Sequence, residues 1–122
     1  MRVLVDTSVW VDYLRRGDGQ LRDLLELDEV YCHPLVIGEL ACGQLDPRTE
    51  ILHRLDLLPK TPMVRDSETL QFIEKHGLWG KGIGIVDVNL LASAFMAKAE
   101  FWTRDKRLLK MTRELGIGFT GD

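Results

Sequence analysis

Twice in this 122-residue chain a short apolar run stops at a carboxylate and gives way at once to helical spacing, and that junction restricts the possible folds more than any other feature. Residues 2–5 are β-branched and apolar, then Asp6-Thr7-Ser8 supplies helix-capping types before Val9, Trp10, Tyr13 and Leu14. Residues 100–103 read as a second such strand, followed by Asp105 as cap and by Leu108, Leu109, Met111 and Leu115 on a basic amphipathic helix. Strands that alternate with helices imply βαβ units, hence a parallel sheet with helices on both faces, a three-layer α/β/α arrangement. Such sheets bind ligands in the crevice at the carboxyl ends of their strands, where Asp6 and Asp105 both fall.

The remaining elements fit this scheme. Residues 15–19 break the first helix, and Leu21, Leu24 and Leu25 mark another. Residues 30–33 form a strand, and Pro34 opens a helix that carries Glu39 and stops at Gly43. Asp46-Pro47 is expected to act as cap and first-turn proline for a helix with Ile51, Leu52 and Leu55, ended by Pro59 and Pro62. Asp66 is expected to cap a helix with Leu70 and Ile73 that Gly77 closes. The glycine-rich loop 79–84 then leads into a helix over 86–99 with Asp87 in its first turn, and residues 117–119 make a last strand.

A chain of this length supports one hydrophobic core, so residues 1–122 are expected to form one domain. With 45% hydrophobic and 29% charged residues it matches an ordinary globular protein. No apolar run reaches the ~18 residues that a membrane span needs. Residues 1–5 begin as a strand and not as a leader, so a cytoplasmic location without membrane association is expected. Cys32 and Cys42 lack any metal-site spacing and read as buried, reduced thiols; His33, His53 and His76 read as surface or packing residues.

The net charge of −3 disfavours broad electrostatic binding of nucleic acid, which needs clustered cations. A metal held by carboxylates supplies the missing charge. Asp6, Glu39, Asp87 and Asp105 are the candidates: four acids far apart in sequence that the topology can bring to one rim of the sheet. Crowded carboxylates raise one another's pKa unless a cation compensates them, and an all-oxygen donor set suits Mg²⁺ or Mn²⁺. Helix capping alone would account for Asp6, Asp87 and Asp105, but not for Glu39, which stands inside a helix between Val36 and Leu40.

Other features are weaker. Arg104, Lys106 and Arg107 flank Asp105 and would either meet phosphates or form a solvated helix face. Residues 80–84 lack both the P-loop ending and the Rossmann spacing. Trp10, Tyr13 and Leu14 suit the core, with part of that stripe and Trp79 available to a partner. A phosphatase that uses paired aspartates would need an Asp where Ser8 stands, and a receiver-type domain would need a late-strand Lys that is missing.

Four stretches in order, Val3-Leu4-Val5-Asp6-Thr7-Ser8-Val9-Trp10, Leu35-Val36-Ile37-Gly38-Glu39-Leu40, residues 84–94 around Asp87, and Trp102-Thr103-Arg104-Asp105-Lys106-Arg107-Leu108, together resemble a PIN domain. More narrowly the chain resembles the VapC toxins of toxin–antitoxin pairs. The resemblance implies a sheet of about five parallel strands and a Mg²⁺ (or Mn²⁺) site at Asp6, Glu39, Asp87 and Asp105, with Thr7, Ser8 and Thr103 behind the ligands. It also implies an RNA substrate, a cognate antitoxin protein and a homodimer. The expected activity is that of an endoribonuclease that hydrolyses phosphodiesters with metal-activated water and leaves 5′-phosphate and 3′-hydroxyl ends. The alternative is a non-catalytic RNA- or protein-binding module of the same fold.

Overall fold

A central strand with neighbours on both sides organises the molecule, whose computed structural model describes residues 2–121; Met1 and Asp122, at the ends of the expected 1–122 domain, lie outside the described residues. Strand β1 (Val3–Val5) pairs in parallel with β2 (Val30–Tyr31) on one edge and β3 (Glu100–Trp102) on the other. Val3 lies opposite Val30 and Glu100, and Val5 opposite Trp102. The ladder runs one residue further, where the Asp6 N–H donates to the Trp102 carbonyl at 2.9 Å.

Single parallel bridges extend the sheet outward, from Cys32 to Lys60 on one edge and from Phe101 to Gly118 on the other. Five chain segments therefore lie side by side, though only three form ladders among the described residues. Pro59 and Pro62 bracket the first outer segment and lack the N–H groups a longer ladder requires. The expected strand at residues 117–119 is reduced to the Gly118 bridge, held by hydrogen bonds between Phe101 and its flanking residues Ile117 and Phe119.

Successive strand residues point to opposite faces, yet Val3, Leu4 and Val5 are all buried, so both faces of the sheet are covered. The covering helices are α1 (Thr7–Arg16), α2 (Gly19–Glu26), α3 (Pro34–Ala41), α4 (Arg48–Asp56), α5 (Asp66–His76), α6 (Ile85–Met96) and α7 (Lys106–Leu115). Seven consecutive residues of α6, Val88 to Ala94, are buried, so this helix runs through the interior. Its two polar members donate there, the Asn89 amide to the Val64 carbonyl and the Ser93 hydroxyl to that of Pro62, while the buried Asn89 Oδ1 has no partner among the described residues.

Several helix starts differ from expectation. Asp6 occupies the N-cap position of α1, but its side chain makes no capping bond. Pro47, not Asp46, is the N-cap of α4. Arg65 precedes α5, and Glu68 reaches back to accept its N–H at 3.1 Å; Asp66 lies one residue inside, where its charge still favours the helix dipole. Gly77 ends α5 in the left-handed region at φ 64°, a conformation that costs a residue with a Cβ roughly 1–2 kcal/mol. Leu70 on this helix is exposed, while Thr69 beside it is buried and hydrogen-bonded to Asn89.

Cys32 is buried at the end of β2, and burial pushes its thiol up to about 11; Cys42, at the end of α3, is exposed, contrary to expectation. His33 is buried as N-cap of α3, with Nδ1 accepting the Leu35 N–H, and His76 packs between Phe72 and Phe95. No helix among the described residues is long and apolar enough to cross a membrane.

Candidate active site

Because β1 and β3 are parallel neighbours, Asp6 and the segment 103–105 leave the sheet at the same end. Two hydroxyls tie them together. Thr103 Oγ1 donates to Asp6 Oδ2 at 2.7 Å and Ser8 Oγ donates to the same oxygen at 2.8 Å. Each hydroxyl in turn accepts a backbone N–H, Thr103 from Asp105 at 3.1 Å and Ser8 from Arg104 at 3.0 Å. A hydroxyl that accepts from the backbone has its own hydrogen directed elsewhere, so Asp6 is held as an acceptor by two oriented donors. Asp6 is 6% exposed, and this network is what replaces its lost water.

The other acids reach this rim from separate elements. Glu39 projects from α3, and Thr7 at the start of α1 donates to its Oε1 at 2.6 Å. Asp105 caps α7, with Oδ1 accepting the N–H groups of Arg107 at 2.9 Å and Leu108 at 3.2 Å. Asp87 stands in the first turn of α6. Its carboxyl is held above the ordinary carboxylate range, first by burial and then by the negative charges of Asp6, Asp105 and Glu39. The four acids thus share one electrostatic environment.

Asp6, Glu39 and Asp105 also share a pattern. Each commits one carboxylate oxygen to donors and leaves the other without a donor among the described residues. Among the described residues no three Asp, Glu, His or Cys side chains converge into a complete ligand set. A hydrated Mg²⁺ does not require one, since it keeps several waters and takes one or two carboxylates directly. The chemistry of these oxygens therefore fits a hard divalent cation.

The basic residues beside Asp105 divide. The Arg104 guanidinium pairs with Asp12 at 2.7 Å and Asp18 at 2.6 Å, and lies over the Trp102 ring at 5.4 Å, so it is committed to a structural clamp. Asp18 is held below the ordinary carboxylate range chiefly by this contact. Sequence reasoning left Arg104 between phosphate contact and a solvated helix face and missed its two partners, because neither spacing nor periodicity links residue 104 to residues 12 and 18. Lys106 and Arg107 are exposed; the Arg107 side chain lies across Gly82, where a Cβ would come within 3.0 Å of its Cδ.

A groove that reaches Glu39 is continued by a second, more apolar one. The first, of about 180 Å³, is lined by Thr7, Glu39, Leu14, Arg15 and Ile51. The second, of about 370 Å³, shares Leu14 and Ile51 and continues over Trp10, Tyr13, Leu25 and Leu58. Trp10 is buried as expected, Tyr13 and Leu14 are half-buried, and Trp79 is exposed outside both grooves.

Comparison with known proteins agrees with this architecture. The family model described as PIN domain matches residues 3–114. Two relatives named ribonuclease VapC32, from Mycobacterium tuberculosis strains H37Rv and CDC 1551 / Oshkosh, are each 47% identical over 116 residues, covering 94% of this chain and 94% of theirs. With a match over almost its whole length and relatives at this identity, the chain belongs to the PIN domain family.

Proposed function

We propose that the protein is a divalent-metal-dependent endoribonuclease and the toxin of a toxin–antitoxin pair. The reading is supported by the name of its relatives and, above all, by one observation: three acids from separate elements each keep a carboxylate oxygen without a donor beside a fourth acid whose proton affinity their charges raise. Asp6, Glu39, Asp87 and Asp105 would hold Mg²⁺ or Mn²⁺. When bound, such a cation offsets the charge of a phosphodiester and makes water a better nucleophile.

The chain's own residues have defined parts in this scheme. Ser8 and Thr103 fix the Asp6 carboxylate in place, since both donate to its Oδ2. Thr7 holds Glu39 toward α1, and the helix amides at Arg107 and Leu108 fix Asp105. Asp87, with its raised proton affinity, is suited to accept a proton from the attacking water or to orient that water. Attack by water with cleavage of the P–O3′ bond, the O3′ leaving and taking up a proton, would give 5′-phosphate and 3′-hydroxyl products.

An antitoxin segment would lie along the apolar groove at Trp10, Tyr13 and Leu58 and continue past Leu14 to Glu39, covering the acids. Leu70 on α5 and Ile85, Phe95 and Met96 on α6, helices that pack together, are exposed and would serve a homodimer.

The deciding experiment compares the parent with Asp6→Asn. The parent cleaves single-stranded RNA with Mg²⁺ and stops with EDTA, and Mg²⁺ raises its melting temperature; Asp6→Asn loses both responses while remaining folded. Full cleavage by Asp6→Asn, or cleavage indifferent to EDTA, refutes the assignment.

A further inference from the structure

A third groove of about 480 Å³, sharing no lining residue with the two above, runs between α7 and the segment 118–120. Thr103, which donates to Asp6, also lines this groove, so it opens directly from the candidate active site. Its charged lining residues among those described are Arg104, Lys106 and Arg113, with no carboxylate among them. Arg104 is paired with Asp12 and Asp18, whereas Lys106 and Arg113 are exposed and have no carboxylate partner among the described residues. In a chain of net charge −3, two cations without a carboxylate partner among the described residues, on a wall whose described charges are all positive, are a local reversal of sign next to four carboxylates.

Lys106 and Arg113 are seven residues apart on α7, two turns, so they stand on one face separated by roughly 10 Å along the axis. The groove is also lined by Phe119, half-buried and packed at 4.7 Å against Trp102. Trp102 itself has a buried indole N–H with no acceptor among the described residues. Spaced cations and an aromatic ring match the needs of a single nucleic-acid strand, whose backbone is tracked by positive charge and whose bases stack on aromatic faces.

We infer that this groove is a substrate subsite, in which Lys106 and Arg113 bind phosphates of single-stranded RNA next to the phosphodiester held at Asp6 and Asp105. It rests on the ribonuclease reading for the strand's direction into the acids, but its own claim is one of binding. Because both cations contact phosphate and neither reads a base, the subsite sets affinity and orientation without sequence preference.

The test uses a Lys106→Ala/Arg113→Ala variant in the non-cleaving Asp6→Asn background, with anisotropy of a short fluorescein-labelled single-stranded RNA measured between about 50 and 200 mM salt. The double substitution weakens binding roughly tenfold or more at low salt and makes the logarithmic salt dependence shallower by about 0.7 per lost contact. A Lys106→Arg/Arg113→Lys variant, which keeps both charges, retains the parent slope. In the cleaving parent the same alanine pair raises KM and leaves kcat close to its starting value.

Unchanged affinity and slope in the alanine variant overturn the subsite. So does preferential binding of a glutamate-rich peptide that is lost with the same substitutions, which would mark a protein-docking surface. Failure of RNA cleavage by the parent, with the charge-dependent binding intact, sinks the nuclease reading and leaves the groove standing; cleavage with a silent alanine pair does the reverse.

Discussion

Replacing Arg104 by alanine should destabilise the fold by about 2–3 kcal/mol, far more than the loss of an ordinary surface cation. The magnitude follows from burial. An exposed ion pair contributes ~0–1 kcal/mol, whereas removing one partner of a fully buried pair costs about 3–5 kcal/mol. The Arg104 side chain is 27% exposed, and its partners Asp12 and Asp18 are 27% and 17% exposed, which places the cluster between those limits. Two carboxylates would be left facing each other, and the contact with the Trp102 ring would be lost as well. For a chain of this length the change corresponds to a fall in Tm of roughly 6–15 °C. The assay is thermal and urea unfolding of Arg104→Ala, Asp18→Asn and the double variant, with the Asp18 carboxyl followed by NMR titration. The double variant should be less destabilised than the sum of the singles, and the Asp18 pKa should return toward its ordinary value in Arg104→Ala. A fall in Tm of less than about 2 °C, or strict additivity, would show that the clamp contributes nothing and that Arg104 is available for another task.

Three further outcomes are expected. Ser8→Ala and Thr103→Val remove one donor each from Asp6 and should lower Mg²⁺-dependent RNA cleavage about 10–100-fold, with a higher Mg²⁺ concentration needed for half-maximal rate. Asp105→Asn should abolish cleavage with Tm unchanged, since an Asn oxygen still caps α7, whereas Asp105→Ala should lose cleavage and about 1 kcal/mol of stability measured by urea unfolding. Burial holds His33 below its ordinary value of 6.5, so the unfolded chain takes up that proton first as pH falls. Stability is therefore full above about pH 6.5 and declines below it, until the folded state is protonated too. His33→Asn, which keeps an N-cap acceptor, should reduce that decline between about pH 7 and 5 without removing it, because His76 is shifted in the same direction.

The parts of the site that sequence made legible are those tied to chain punctuation. Asp6 and Asp105 stand where an apolar strand stops, and Asp87 where a glycine-rich loop enters a helix, so pattern and chemistry coincide. Glu39 was recognisable for the opposite reason, as an acid that no local capping role explains. Side-chain pairing across the fold left no such mark: Arg104 meets Asp12 and Asp18 only because α1, the start of α2 and the turn after β3 are brought together by the sheet. The start of α5 shifted by one residue because a capping carboxylate and a first-turn carboxylate satisfy the same helix end. The outer sheet segments were obscured by their brevity, since a single bridge imposes no alternation on the sequence.

The pairing of β1 with β3 joins residues almost a hundred positions apart, and it sets when the site can exist. Synthesis proceeds from the N-terminus, so a nascent polypeptide carries Asp6, Glu39 and Asp87 long before Thr103 and Asp105 are translated. Until then Asp6 lacks one of its two anchoring hydroxyls and the central strand lacks a neighbour. The carboxylate rim is thus completed late, once residues 100–105 have joined the central strand and brought the second hydroxyl to Asp6.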